Sequence, residues 1–353
     1  MNLNDIQVFS QIDTQNMLSH IDGLPDQILQ AWELGKILPL PKWVGIKKVL
    51  IAGMGGSAIG GDLLAAYLSP LSSVPIWVHR DYGLPNWAQG EDTLVIVSSH
   101  SGNTEEALDA LSYALINRCR VLAITTGGEL ALRANAAGLP LWQFNHTGQP
   151  RAAVGYSFFL LLAALYRLGI APDPQVELDD TIAAMKAQQS ILLAEIPDVR
   201  NPAKRYGGQL VGRWVTVIGA GILAPVARRW KGQVNELAKA WGQFDYLPEA
   251  DHNLLAGSTN PPENISRLAV FFLRAPSDHP RNRLRSDLTR KALMLNGFAT
   301  DFYDAKGESR LAQQWTALHF GDYTAYYLAM AYAVDPSPVD AIEKFKIELN
   351  SET

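Results

Sequence analysis

The sequence is poor in cysteine, in net positive charge and in long apolar runs. Cys119 is the one cysteine among 353 residues, which excludes a disulfide-stapled scaffold and a structural zinc site built on thiolates. Acidic residues outnumber basic residues by 35 to 30, and the net charge of −5 creates no general basic field for nucleic acid or an anionic membrane. The composition therefore predicts neither a nucleic-acid partner nor a membrane partner.

Membrane and export signals are also missing from the sequence. The longest apolar run covers residues 156–166 (YSFFLLLAALY), whereas a membrane-spanning helix needs about 20 apolar residues, so this run predicts a buried core helix. The first residues include Asp5 and Asp13 and no basic segment, unlike a secretory signal. Together with the single cysteine, these features predict a soluble protein of a reducing compartment, the cytoplasm.

The sequence contains ample material for a hydrophobic core. Hydrophobic residues make up 48% of the chain, including nine tryptophans, twelve tyrosines and eleven phenylalanines, which excludes extensive disorder. Apolar strand-like segments alternate with amphipathic helical segments in two stretches of the chain. Strands are predicted over residues 48–52, 74–79, 93–98, 120–125 and 139–144, and again over 214–218, 268–273 and 298–303. Such alternation predicts an α/β fold with two doubly wound parallel sheets, each covered by helices on both faces.

Helical and proline-containing segments separate these two stretches. We predict an N-terminal helical segment (1–40), a first domain (41–170), a helical connector (171–200), a second domain (201–335) and a C-terminal helix (336–353). In the second domain, apolar residues spaced by three or four from Leu223 to Trp241 predict one amphipathic helix. Two helices are predicted between Arg310 and Tyr332.

The first candidate binding loop is glycine-rich and follows the first predicted strand. It covers residues 53–62 (GMGGSAIGGD), where glycines allow close approach of a ligand and the following helix offers free N–H groups, which makes Gly56 and Ser57 candidate phosphate ligands. The loop also matches a loose dinucleotide fingerprint, and Asp81 lies where a ribose-binding acid would be expected. A tight turn that needs glycine only for packing is a third interpretation.

The second candidate loop covers residues 98–106 (SSHSGNTEE) and again joins a strand to a helix. Three hydroxyl side chains, from Ser99, Ser101 and Thr104, surround one glycine, and such a turn can direct hydroxyls and backbone N–H groups at a single phosphate. The alternative is an ordinary helix cap with Ser101 as the N-cap residue. Capping alone does not require three hydroxyls, so phosphate binding is the favoured interpretation.

The pattern Ser99-x-Ser101-Gly102-x-Thr104 resembles the signature loop of the sugar isomerase (SIS) domain, and the chain resembles the bifunctional phosphoglucose/phosphomannose isomerases in particular. The resemblance runs in order through about 48–349, with His100 where the family more often has tyrosine. It is carried by the segments 53–62, 99–105, 150–156, 229–236, 248–253 and 335–346. It implies two SIS domains of flavodoxin-like, three-layer αβα architecture, the second with a degenerate loop at residues 219–221.

The resemblance implies an aldose–ketose isomerase that interconverts glucose 6-phosphate, and also mannose 6-phosphate, with fructose 6-phosphate through a cis-enediol(ate). Glu236 matches the family's catalytic glutamate, and its position off the apolar stripe of its helix suits a residue that leaves the core. His252 matches the histidine that assists ring opening from the partner subunit, which implies a homodimer. Arg151 matches the cation that stabilises the enediolate, and Lys346 a lysine near the sugar, with Lys344 as its alternative. No metal and no cofactor are expected, since Arg151 can balance the enediolate charge and the remaining histidines show no metal-ligand spacing (His20, His79, His146, His279 and His319).

Less specific interpretations of these residues remain open. Glu236 alone could be a solvated surface glutamate, His252 a surface-loop histidine, and Arg151 half of a structural ion pair. Two other functions also fit parts of the sequence: a SIS protein that senses a sugar phosphate without turnover, and a nicotinamide-dependent oxidoreductase that uses the first loop and Asp81.

Overall fold

The computed structural model describes residues 2–351 and shows a five-stranded parallel sheet in the first half of the chain. Its strands are β1 (Lys48–Ala52), β2 (Ile76–His79), β3 (Thr93–Ser99), β4 (Arg120–Thr125) and β5 (Leu141–Gln143), in the order β2-β1-β3-β4-β5. This is the flavodoxin order. Every residue of β3 is buried, as expected of a central strand with helices on both faces.

The second half of the chain forms a four-stranded parallel sheet. Its strands are β6 (Trp214–Ala220), β7 (Gly242–Leu247), β8 (Leu268–Arg274) and β9 (Ala299–Asp304), in the order β7-β6-β8-β9. The two predicted parallel sheets are thus confirmed, and all eight predicted strands are present. The ninth strand, β7, was not predicted, because GQFDYL lies at a sheet edge, is buried only at its first and last residues and has no continuous apolar run.

Helices cover both sheets and fill the space between them. The described helices are α1 (Ile6–Ile12), α2 (Met17–Asp22), α3 (Leu24–Ile37), α4 (Gly55–Leu68), α5 (Glu105–Ile116), α6 (Gly128–Ala136), α7 (Val154–Arg167), α8 (Gln175–Gln189), α9 (Pro202–Gln209), α10 (Ala224–Ala238), α11 (Pro262–Ile265), α12 (Pro280–Leu295), α13 (Arg310–Tyr332) and α14 (Asp340–Ser351). Short 3-10 turns occupy Pro150–Ala153, Gly221–Leu223, Glu249–His252 and Leu254–Gly257. Within residues 2–351, no helix is both long enough and apolar enough to cross a membrane.

Helix α13 lies at the centre of the molecule and joins its two halves. Residues 311–330 are all buried, and the Trp315 ring packs against Phe158 and Phe159 of α7, with centroid distances of 5.2 and 5.1 Å. The side-chain amide of Gln314 donates to the carbonyls of Leu63, in α4, and Ile222, in the second half, at 3.0 and 3.1 Å. The hydrophobic core is therefore continuous between the two sheets.

Two helix predictions are corrected by the structure. Residues 310–332 form one helix and not two, since burial on all sides removes the amphipathic pattern that would mark its course. Helix α10 ends at Ala238, because Lys239 adopts a left-handed conformation (φ 52°, ψ 27°), so Trp241 lies beyond the helix with 62% of its surface exposed. Spacing alone does not reveal such a stop, since lysine is a good helix former.

A buried ion pair ties α10 to α13. Arg229 donates from Nε and Nη2 to the two carboxylate oxygens of Asp322, at 3.2 and 2.9 Å, and both side chains are 4% exposed. The second bond of Nη2, to the carbonyl of Arg151 at 2.7 Å, extends this contact to the turn before α7. The Asp322 carboxylate therefore balances the charge of Arg229, whose guanidinium connects α10 with α13 and with the turn before α7.

We expect Asp322→Ala to reduce the free energy of unfolding by about 3–5 kcal/mol, because it leaves the Arg229 charge buried without its carboxylate. The matched control is Asp26→Ala, which removes the carboxylate of an exposed ion pair with Lys186 (2.8 Å). That change is expected to cost less than about 1 kcal/mol. Urea denaturation of both variants measures the difference, and equal losses would contradict the assigned role of the buried pair.

Candidate active site

The first glycine-rich loop follows β1 and packs directly against the second candidate loop. A Cβ atom added to Gly53 would lie 2.6 Å from the carbonyl oxygen of Ser98, and one added to Gly56 would lie 2.7 Å from that of Pro150. The Ser57 hydroxyl is buried and accepts a hydrogen bond of 3.2 Å from the backbone N–H of His100. Glycines here serve close packing, and that packing brings Ser57 to the second loop.

The second loop holds its hydroxyl groups in a compact turn at the end of β3. The hydroxyl oxygens of Ser99 and Thr104 are 2.9 Å apart, and the N–H of Gly102 donates to the Ser99 hydroxyl at 3.1 Å. Ser101 is exposed, and its hydroxyl accepts from the N–H of Asn103 at 3.2 Å. The N-cap position of α5 belongs to Thr104 and not to Ser101, which corrects the capping alternative. Hydroxyls and the start of a helix thus meet at one edge of the sheet, an arrangement that suits a phosphate.

Arg151 and Glu236 come together from the two halves of the chain. Arg151 lies in the 3-10 turn before α7, 3% exposed, and its Nη1 is 3.4 Å from Oε2 of Glu236. Its Nη2 donates to the carbonyls of Pro336 and Ser337 at 2.7 and 2.5 Å. Burial lowers the pKa of the Arg151 guanidinium, while the neighbouring Glu236 carboxylate opposes this effect. Arginine remains charged in proteins despite such shifts, so the pair is ionic.

A cavity of about 320 Å³ opens between the two sheets and contains this pair. Gly55 and Gly56, at the start of α4, line the cavity together with Arg151 and Glu236. Four further cationic side chains line it, from Arg80, Arg228, Arg229 and Lys231, and the carboxylate of Asp62 contacts Arg80 and Arg228. Because five cations face the cavity and Glu236 is its one acidic lining residue, the cavity suits an anionic ligand.

Of the predicted site residues, Gly56, Arg151 and Glu236 line this cavity. The hydroxyl residues Ser57, Ser99, Ser101 and Thr104 lie in the two loops and do not line it, and two further predicted residues lie elsewhere. His252 is exposed at the end of a 3-10 turn that follows β7, and Lys346 is exposed on α14, as is Lys344. In residues 2–351 of a single chain, neither His252 nor Lys346 lines the cavity that holds Glu236. Asp81, the candidate ribose ligand, is exposed, and its carboxylate accepts from the N–H of Tyr82 at 2.8 Å.

Sequence reasoning missed the residues that support the Arg151–Glu236 pair. Arg229 enters the sequence analysis only as part of a motif, and no local signal distinguishes it from the more exposed Arg228 beside it. Lys239 was not considered, yet its ammonium donates to the carbonyl of Glu236 at 2.8 Å. His146 lies apart from this pair: its Nδ1 is 3.0 Å from Nε2 of His100, and burial lowers the His146 pKa to about 4, with the charges of His100 and His20 adding to the effect.

Comparison with known proteins agrees with this architecture. A crystal structure of a glucose-6-phosphate isomerase-like protein from Thermus thermophilus superposes with a TM-score of 0.61 and 20% identity, over 96% of this chain and 98% of that one. The family described as "Bacterial phospho-glucose isomerase C-terminal SIS domain" matches residues 199–349. The fold and the two strand-to-helix loops therefore define a protein of the double-SIS-domain, phosphosugar-isomerase fold.

Curated relatives narrow this class to a single family. A bifunctional phosphoglucose/phosphomannose isomerase from Caldicellulosiruptor bescii is 36% identical over 94% of this chain and 98% of its own length. Another from Aquifex aeolicus is 33% identical over 86% of this chain and 90% of its own length. The chain belongs to the bifunctional phosphoglucose/phosphomannose isomerase family.

Gly102 offers a test of how tightly the second loop is built. It has φ +70°, and an added Cβ would overlap the carbonyl oxygen of Gly127. Gly138 is a matched control with φ +63° and open space around an added Cβ. Both Gly→Ala changes incur the left-handed backbone cost of about 1–2 kcal/mol, but Gly102→Ala also displaces the loop. We expect Gly102→Ala to lose more unfolding free energy than Gly138→Ala, and amide hydrogen exchange at residues 99–104 to become faster only in Gly102→Ala. If the two variants behave alike in both measurements, the loop is not rigid.

Proposed function

We propose that this protein interconverts fructose 6-phosphate with glucose 6-phosphate and mannose 6-phosphate through a cis-enediolate. The observation that carries the proposal is the contact of 3.4 Å between a buried guanidinium and a half-buried carboxylate, Arg151 and Glu236, inside a cationic cavity that reaches the start of α4. The activity for which the curated relatives are named supports the same chemistry. We place the reaction in the cytoplasm, in keeping with the single cysteine and the acidic composition.

The phosphate group of the substrate binds at the two loops in this proposal. The N–H groups at Gly56 and the hydroxyls of Ser57, Ser99, Ser101 and Thr104 hold it, with the start of α5 favouring negative charge. This placement leaves C1 and C2 of the open-chain sugar toward Glu236 and Arg151. The positive lining of the cavity attracts the dianionic ester into the cleft.

Proton transfer is the task of Glu236. The carboxylate removes the C2 proton of the aldose, the C2–H electron pair forms the C1–C2 double bond, and the carbonyl oxygen at C1 becomes the enediolate oxygen. The O2 proton then moves to O1, and return of the first proton from Glu236 to C1 gives the ketose as the C2 carbonyl forms. Arg151 stabilises the negative charge while it resides on the enediolate oxygens.

The homodimer completes this site. His252, which assists ring opening, is exposed and does not line the cavity of its own chain, so the proposal places it at the partner's cavity. Helix α14 supports an assembly, because its apolar side chains are exposed, with Phe345 at 62% and Ile347 at 69%. Lys346 lies on the same helix and would approach the sugar only in the assembled protein.

The first test is isomerase activity of the purified protein on fructose 6-phosphate in the presence of EDTA. We expect both aldose phosphates to form, and Glu236→Gln to reduce turnover at least about 100-fold, as removal of a general base does. Glu91→Gln, a change at an exposed glutamate away from the cavity, is the matched control and should leave turnover unchanged. If neither product forms while fructose 6-phosphate still stabilises the fold against heat, the protein is a sugar-phosphate sensor.

Co-expression of two inactive variants tests the shared site. A mixed dimer of Glu236→Gln and His252→Ala subunits has one intact site, so random pairing should restore about a quarter of wild-type activity. The control mixes Glu236→Gln with Arg151→Ala, two residues that meet within one chain, and should restore none. Absence of recovery in the first mixture would place His252 in its own chain's site or outside catalysis.

A further inference from the structure

Lys239 ends the helix that carries Glu236, and it does so in a conformation that lysine rarely adopts. Its φ of 52° and ψ of 27° are left-handed, a region that strains a residue with a Cβ atom and that helix ends usually fill with glycine. Among residues 2–351, three other non-glycine residues have positive φ, at Asn16, Arg118 and Ala333. Strain of this kind persists where the surrounding structure holds the residue in place.

The contacts of the Lys239 ammonium explain its placement. Its Nζ donates to the carbonyls of Glu236 and Leu237 at 2.8 and 3.4 Å, two groups that the end of α10 leaves without helical partners. A third bond, of 2.7 Å, reaches the carbonyl of Asp335. The left-handed turn thus directs the ammonium both at the helix end and at the segment 335–337.

This segment in turn holds Arg151. The next two carbonyls after Asp335, those of Pro336 and Ser337, accept from Arg151 Nη2, and Nη1 of the same guanidinium reaches Glu236. The contacts therefore close a ring that runs from Lys239 through 335–337 to Arg151 and Glu236, and back along one turn of α10. Displacing Lys239 releases two sides of this ring at once.

We propose that Lys239 is a positioning residue that fixes the Arg151 guanidinium relative to the Glu236 carboxylate through the segment 335–337. The proposal rests on the roles assigned above to Glu236 and Arg151. Lys239 need not touch the sugar, since its three bonds end on backbone carbonyls.

The charge of Lys239 is sensitive to pH near neutrality. Partial burial and then the nearby Arg151 charge lower its pKa to about 8, against the opposing effects of Asp335, Glu236 and Asp340. These groups face it from the 150–153 turn, the 335–337 segment, α10 and α14. The ammonium is therefore present at pH 7 and lost above pH 8, which removes one donor and the positive charge from the ring. Activity should fall on the alkaline side with an apparent pKa near 8.

The test compares wild type, Lys239→Arg, Lys239→Gly and Ala333→Gly. Glycine suits the left-handed turn, so Lys239→Gly should fold while losing kcat by about 100-fold, the scale expected for a displacement of about 1 Å, with KM for fructose 6-phosphate little changed. Lys239→Arg keeps its charge at high pH and should retain activity at pH 9.5, where the wild type declines. Ala333→Gly relieves the same kind of strain at the end of α13 without removing an ammonium, and should behave as wild type.

Amide hydrogen exchange tests the role of Lys239 independently of whether the protein is an isomerase. Exchange at the amides of Asp335, Ser337 and Val339 should accelerate at least about 10-fold in Lys239→Gly at pH 7 but not in Ala333→Gly, whether or not the protein is an isomerase. Unchanged exchange, or a Lys239→Gly enzyme with wild-type kcat and pH profile, would overturn the role of Lys239. An inactive wild type with the predicted exchange pattern would reject only the isomerase.

Discussion

The buried guanidinium of Arg151 is the constraint on which the site depends. Its side chain binds two carbonyls and Glu236, while its own backbone carbonyl is bound by Arg229, which is paired with Asp322. Burying two guanidinium groups is costly unless each has several partners. Those partners come from the turn before α7, from α10, α13 and the segment 335–337, so the active geometry exists only when both halves of the chain are packed together.

The parallel arrangement of the strands places the two candidate phosphate-binding loops, residues 53–62 and 98–106, next to each other. In β1 and β3, Ala52 pairs with Val97, so both strands end at the same edge and their loops become neighbours although they are separated by some 40 residues of sequence. The buried Ser57 hydroxyl and the N–H of His100 meet there. Alternation of strands and helices is enough to predict this convergence, since right-handed crossovers leave little freedom.

The features that the sequence predicted depend on local patterns, and those that it missed depend on contacts between distant segments. Apolar strands and the hydroxyl pattern at 99–104 are local signals, and the strands and the loop position follow from them. The end of α10 at Lys239, the edge strand β7 and the undivided helix α13 depend on contacts between distant segments, which no periodicity records. The roles proposed for His252 and Lys346 require a second subunit, because both residues are exposed in the single chain and neither lines the cavity.

Local charge, rather than net charge, suits this cavity to its chemistry. The chain carries a net charge of −5, yet five cations and one carboxylate line the cleft, within the range of about 10 Å over which charges act in salt solution. In the proposed proton transfer, negative charge leaves Glu236 and appears on the enediolate oxygens. A guanidinium already held by two backbone carbonyls stays between the old and the new anion, so compensation needs no movement of the protein. Because neutral backbone carbonyls hold Arg151 in place of a second carboxylate, its positive charge stays available to stabilise the enediolate.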